Sequence, residues 1–302
     1  MTTLYHTFLF WLMNISTLFG NNFTNSKNIP SAPVDNLKVL FIGNSYTFRN
    51  DVPGKVEKLA EAANLTLEAQ VAAKGGWNLK KHSDFFEPEY LETSEKIKNP
   101  PDGGWDVVVI NEQSQRTSKS IEKMCRDTFQ YALILTNEIR KYSPNAKIQW
   151  YVTWARAIGD NKNCKDNKQV CTFNGRYLCV AKEPKLKVNN GKCILTIFFL
   201  FLLGMQNAIT TTYESLACMT RPSQLAPVGE AFREFRKLYQ NEFFDLYKGW
   251  FEPGDCYEPK SGPKCHGTDE WDHHASNMGS YLSACVHFST LFGVPCKGNT
   301  FR

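Results

Sequence analysis

The chain has 302 residues, 42% of them hydrophobic and 22% charged, an ordinary globular composition with enough apolar residues to bury a large core, so one sizeable domain is expected. Its net charge of +5 comes from 35 basic residues interleaved with 30 acidic ones. No long basic block is present, and nucleic acid is not an expected partner.

Residues 1–20 differ from the rest. Leu4 to Phe19 is mostly apolar around Phe8-Leu9-Phe10-Trp11-Leu12-Met13, and Gly20-Asn21-Asn22 follows. Such a stretch reads as a secretory signal peptide, too short for a comfortable membrane span. Its start carries no Lys or Arg, which leaves an uncleaved N-terminal anchor as the alternative. Secretion agrees with the acceptor triplets Asn22-Phe23-Thr24 and Asn64-Leu65-Thr66, and with ten cysteines that lack C-x-x-C metal spacing. In an exported chain these cysteines are disulfide candidates, with Cys164–Cys171 and Cys256–Cys265 the local pairs to test first. No stable membrane span is expected once the signal is removed.

Residues 21–36, rich in Asn, Ser and Pro, form a flexible lead-in, and a single domain spans 37–297. Val39-Leu40-Phe41-Ile42 is a buried strand that ends in Gly43-Asn44-Ser45, a sharp turn before a helix. Open α/β sheets place their chemistry at such strand ends. There Ser45 either attacks a carbonyl with its hydroxyl while its N–H stabilises the oxyanion, or merely caps the helix.

Val52-Pro53-Gly54 is read as a break, Lys55 to Asn64 as a helix with Val56, Leu59, Ala60 and Ala63 on one face, and Leu65 to Ala73 as a second strand. Gly75-Gly76 after it is a tight turn or a backbone donor, and a helical stretch with His82 follows. Beyond the loop 99–104, Trp105 to Ile110 is a buried strand ending in Asn111-Glu112-Gln113-Ser114-Gln115. These side chains either tie down the next loop or supply an amide donor to an oxyanion.

A long helix is expected over Ile121 to Tyr142, a strand over Lys147 to Trp154, a helix over Gln206 to Thr220, a short strand over Gln224 to Val228, and helices over Gly229 to Gly249 and Met278 to Leu291. Strands and helices alternating at this spacing imply βαβ units, a mostly parallel sheet and helices on both faces.

Residues 176–204 break the pattern. A basic polar stretch, Lys182 to Lys192, precedes Ile194 to Leu203, which is apolar on every side, too short to span a bilayer and without an amphipathic face. Its Phe- and Leu-rich composition is what a polypyrimidine tract would encode, so it is read as a translated intron whose removal joins Gly175 to Met205, deletes Cys179 and Cys193 and leaves eight cysteines. A true surface insertion or hydrophobic hairpin is the competing reading.

Histidine is scarce, six in the chain, yet two stand together in Asp272-His273-His274 just before the last helix. A Gly-Asn-Ser turn, a Gly-Gly turn, amides after the third strand and a late Asp/His block, in that order, resemble the SGNH (GDSL-like) hydrolase superfamily over residues 37–293. Ala226-Pro227-Val228-Gly229-Glu230-Ala231-Phe232, together with His274-Ala275-Ser276 followed by Gly279 and Tyr281, is similar to its subgroup with a GNSYT nucleophile motif.

The resemblance implies a three-layer α/β/α sandwich with a mostly parallel five-stranded sheet, flavodoxin-like in type. It implies a Ser45 nucleophile and an oxyanion hole from the Ser45 and Gly76 N–H groups, Gly75 being the lesser candidate. Gln113, or Asn111, would be the third donor and His274 the base, with His273 as alternative base. No cofactor or metal is implied. The superfamily pattern puts Asp three residues before the catalytic His, whereas here position 271 is Trp and Asp272 stands two before His274.

The expected activity is secreted hydrolysis of small-molecule or carbohydrate esters, O-acetyl esters among them, through a Ser45 acyl-enzyme. Trp77, Trp154 and His82 are candidates to line a sugar-sized pocket. An acyltransferase would use the same intermediate. The altered Asp–His spacing makes an inactive scaffold that binds glycan or protein the alternative.

Overall fold

A computed structural model describes residues 36–156, 160, 163, 204–239, 246–247 and 273–296, with the backbone alone at 187–189, 192–194, 256–257 and 264–265. The proposed signal peptide, nearly all of the lead-in and Asp272 lie outside these residues. So does all of 176–204 except Gly204 and a short antiparallel pair, Lys187–Asn189 with Lys192–Ile194.

Strand β1 (Asn36–Gly43) lies between β2 (Thr66–Ala73) and β3 (Val107–Ile110), and the sheet continues through β4 (Lys147–Tyr151) to β5 (Ser223–Ala226). The order β2-β1-β3-β4-β5 is parallel throughout. All four β3 residues are buried, as is usual when helices cover both faces of a parallel sheet.

Neighbouring residues of β4 show the two covered faces, because successive strand side chains point in opposite directions. Trp150 packs against Tyr213 of helix α7 (Met205–Met219), whereas Tyr151 meets His287 of helix α9 (Asn277–Phe292) edge-on at 4.2 Å. Helix α2 (Val52–Ala62) shares the α9 side, and α6 (Gln130–Tyr142) packs against α3 (Leu79–His82) and α4 (Leu91–Lys98). The result is a three-layer α/β/α sandwich.

Several boundaries depart from the expectation. Val52-Pro53-Gly54 does not break the chain but opens α2: Asp51 caps it by accepting from the Gly54 N–H at 3.1 Å, and Pro53 fits a first turn whose N–H groups have no helical partner. The long helix expected from Ile121 is divided into α5 (Ile121–Met124), a π-turn over Cys125–Phe129 and α6. Helix α8 (Val228–Leu238) ends well before Gly249, and β4 stops at Tyr151. Helix α4, mostly polar with Thr93, Ser94 and Ile97 buried, had no clear apolar period to announce it.

Cys285 and Cys296 form a disulfide that ties the middle of α9 to the segment after it, and Cys218 is also disulfide-bonded. Cys256 and Cys265 face each other in the register of a short antiparallel pair, whereas Cys164 and Cys171 lie outside the described residues. Asn64 is exposed on the turn between α2 and β2. Among the described residues no helix is long and apolar enough to cross a membrane.

Candidate active site

The turn after β1 leaves the serine uncommitted to capping. Asn44, not Ser45, caps the short helix α1 (Ser45–Phe48), its side-chain oxygen accepting from the Tyr46 N–H at 3.1 Å. Ser45 occupies the first helical position, half-buried, where backbone N–H groups lack an intrahelical acceptor. Its hydroxyl lies 2.8 Å from His274 Nε2, across 229 positions of sequence.

His274 is held on several sides. Trp154 donates its indole N–H to the His273 carbonyl at 2.9 Å, and Asn50 donates to the Ala275 carbonyl at 3.0 Å while also meeting Ser280 Oγ. Tyr247 bridges Ala275, and the Ser276 N–H donates to the Leu246 carbonyl before Ser276 caps α9. Trp154 is fixed in turn between the rings of Tyr46 and Phe232, stacked at 4.3 and 4.7 Å. Tyr46 also meets the His274 ring edge-on at 5.6 Å. The His273 ring lies 4.0 Å from that of His274, and it is His274 that faces Ser45.

Gly76 has a φ of +71°, a conformation that strongly favours glycine, and lies exposed after β2. Gly75 has no such backbone requirement, which separates the two glycines. Their loop is tied to the Ser45 turn by Asn44 Nδ2, which donates to the Trp77 carbonyl at 3.1 Å.

Beyond β3, Asn111 is buried and engaged at both ends of its amide: Thr47 Oγ1 donates to its Oδ1 at 2.6 Å, and its Nδ2 donates to the Glu112 carbonyl at 3.2 Å. Gln113 is half-buried, its Oε1 accepting from the Gln115 N–H and its Nε2 donating to Ser114 Oγ at a long 3.4 Å. Its amide therefore keeps donor capacity, whereas that of Asn111 is directed inward. Asp160 secures the following loop by accepting from Gln115 Nε2 at 2.8 Å.

The pocket role expected for three residues is not supported. Trp77, His82 and Trp154 are 2%, 0% and 0% exposed and belong to the interior. His82 lies 2.8 Å from the Gly43 carbonyl at Nε2 and 2.8 Å from Thr93 Oγ1 at Nδ1. A carbonyl can only accept, so Nε2 carries the proton and Nδ1 accepts from Thr93; burial pushes the imidazole down to about 4 and keeps it neutral. His82 thus steadies the strand end before Ser45. Asn44, Thr47 and Asn50 were unassigned from sequence, because the partners Trp77, Asn111 and Ala275 are distant in the chain.

The solved structures supply the comparison. A protein provisionally described as an SGNH hydrolase, from Slackia heliotrinireducens, superposes with a TM-score of 0.52 at 20% identity over 84% of this chain and 98% of its own. The chain has the SGNH-hydrolase fold. A DUF4886 family protein from Bacteroides uniformis superposes on this SGNH-fold chain with a TM-score of 0.57 at 17% identity, over 89% of this chain and 87% of its own. No protein-family model matches the sequence, and no curated protein matches it significantly.

Proposed function

We propose that this chain is a secreted serine esterase of the GNSYT subgroup of SGNH hydrolases. The observation that carries the reading is the 2.8 Å approach of His274 Nε2 to Ser45 Oγ, the spacing needed for a base to take the hydroxyl proton. With its proton on Nδ1, His274 accepts the Ser45 proton at Nε2 as Oγ bonds to the ester carbonyl carbon. The carbonyl π electrons move onto oxygen, and the oxyanion is received by the Ser45 and Gly76 N–H groups and the Gln113 side-chain amide. Collapse breaks the bond to the alcohol oxygen, which takes the proton from His274. Water, deprotonated by the same imidazole, adds to the acyl carbon, and collapse breaks the bond to Ser45 Oγ, which takes the proton back from His274 as the acid is released.

Gln113 is preferred to Asn111 as third donor because the Asn111 amide is already engaged with Thr47 and Glu112. Asp272, which stands two residues before His274 and not three as in the superfamily pattern, is the carboxylate assigned to orient it. O-acetyl carbohydrates are the substrate class to try first, beside simple aryl acetates.

Labelling with a fluorophosphonate probe tests the reading. Wild type is expected to label, and Ser45→Ala and His274→Ala are expected to lose labelling. Labelling that survives Ser45→Ala overturns the assignment, and a folded wild type that never labels favours the glycan- or protein-binding scaffold.

A further inference from the structure

The proposed oxyanion donors come from three separate loops, and something other than the donors must hold them to within a fraction of an ångström. The side chains between them form a closed ring. Asn44 of the nucleophile turn donates to Trp77 of the Gly76 loop at 3.1 Å. Thr47, beyond the nucleophile, donates to Asn111 of the third loop at 2.6 Å.

Glu112 closes the remaining side. It is wholly buried, and its Oε1 accepts from two backbone N–H groups at once, Leu79 at 3.1 Å and Gln113 at 2.7 Å. Leu79 follows the Gly76 loop by three residues, and Gln113 is the proposed third donor itself. The other oxygen, Oε2, accepts from Thr128 Oγ1 at 3.2 Å, and the Glu112 N–H donates to the Tyr213 hydroxyl at 3.0 Å. One carboxyl oxygen therefore spans two of the three loops.

We propose that Glu112 is a positioning residue for the oxyanion hole, fixing the Gly76 and Gln113 donors relative to each other through its shared oxygen. It touches no reacting atom. This inference rests on the esterase reading above, in which those donors receive the oxyanion. Burying a carboxyl where an apolar side chain would pack more cheaply needs a return, and the geometry identifies it as rigidity of the donor set.

Three replacements separate positioning from simple support of the core. Glu112→Gln keeps an acceptor oxygen for both N–H groups, its new amide hydrogens reaching Thr128, and is expected to retain kcat within about threefold. Glu112→Met fills a similar volume without any comparable acceptor and is expected to lower kcat for aryl acetate hydrolysis about 100-fold with little change in KM. Glu112→Asp, too short to reach both loops, serves if the Met variant does not fold and is expected to lower kcat likewise. Combined with Gln113→Ala, the loss from either should shrink, since one donor it positions is already gone.

Amide hydrogen exchange gives a readout independent of activity. The Leu79 and Gln113 N–H groups are expected to exchange at least about tenfold faster in the folded Met or Asp variant than in wild type, and at the wild-type rate in Glu112→Gln. Unchanged exchange together with unchanged kcat in a folded Met or Asp variant overturns the proposal. So does a kcat loss in Glu112→Gln equal to that of the Met variant. Absence of Ser45 labelling in wild type would instead overturn the esterase reading, while the exchange rates still decide whether Glu112 locks the loops.

Discussion

At Gly43 the chain has no room for a side chain: a Cβ there would come within 1.8 Å of Asn111 Oδ1 and 2.5 Å of Thr47 Oγ1. The glycine lets the end of β1 approach the loop after β3 closely enough for the Thr47–Asn111 bond to form. Gly43→Ala must push that pair apart, and a loss of at least about 2 kcal/mol in unfolding free energy is expected, with a fall in Ser45 labelling rate. Gly76 poses the opposite case, since a Cβ there meets nothing within 4 Å and only its φ of +71° resists substitution. Gly76→Ala should therefore cost only about 1 kcal/mol in a denaturant titration while slowing acylation, because the strain falls on a proposed donor. A Gly76→Ala enzyme with wild-type kcat would remove Gly76 from the donor set.

At the scale of elements, the strands and most helices were legible because their apolar periods are long and clear, as in Val107-Val108-Val109-Ile110 and the face of Val56, Leu59 and Ala60. The turn that carries Ser45 was legible too, since strand-Gly-Asn-Ser is contiguous. What sequence left hidden are contacts closed over long separations: Trp154 reaching His273 over 119 positions, or Asn50 reaching Ala275 over 225. No local spacing encodes those. The Asn50 bond joins the turn between α1 and α2 to the loop before α9, so Asn50→Ala should let the histidine segment shift while leaving both helices intact. An approximately tenfold lower kcat at nearly constant KM is expected from steady-state kinetics. Residues 176–204 can be judged by a deletion that places Gly175 directly before Met205: helix α7 follows Gly204, whose φ is +92°, and Gly175 would bring the same residue type to that position. Such a variant is expected to label at Ser45 as well as the full chain does, and transcripts lacking the segment should be found if it is an intron.

At the scale of the whole molecule, two histidines among the described residues are sealed in the interior, on different elements. His82 is held neutral beneath the Ser45 turn, and His287 on α9 lies against Tyr151 and Phe41 with Gln149 donating to its Nδ1. Burial lowers His82 to about 4 and His287 to about 3 from 6.5. Because the unfolded chain takes up these protons near pH 6.5 and the folded chain resists until far lower, each imidazole contributes stability that is present above 6.5 and lost as pH falls toward its folded value. Glu112 acts with the opposite sign: burial raises it from 4.5 to about 7, so the folded state holds a proton that the unfolded state has released, and its burden grows as pH rises through that window. Glu214 and Glu230, also raised chiefly by burial, act in the same sense as Glu112. The clean measurement is therefore a difference between proteins. His287→Gln keeps an acceptor for Gln149 and removes one titration far from Ser45. The stability of wild type relative to this variant should fall by on the order of 3 kcal/mol between pH 7 and 4, read from denaturant unfolding at each pH. A constant difference across that range would show that His287 does not enter the folded core as a neutral ring.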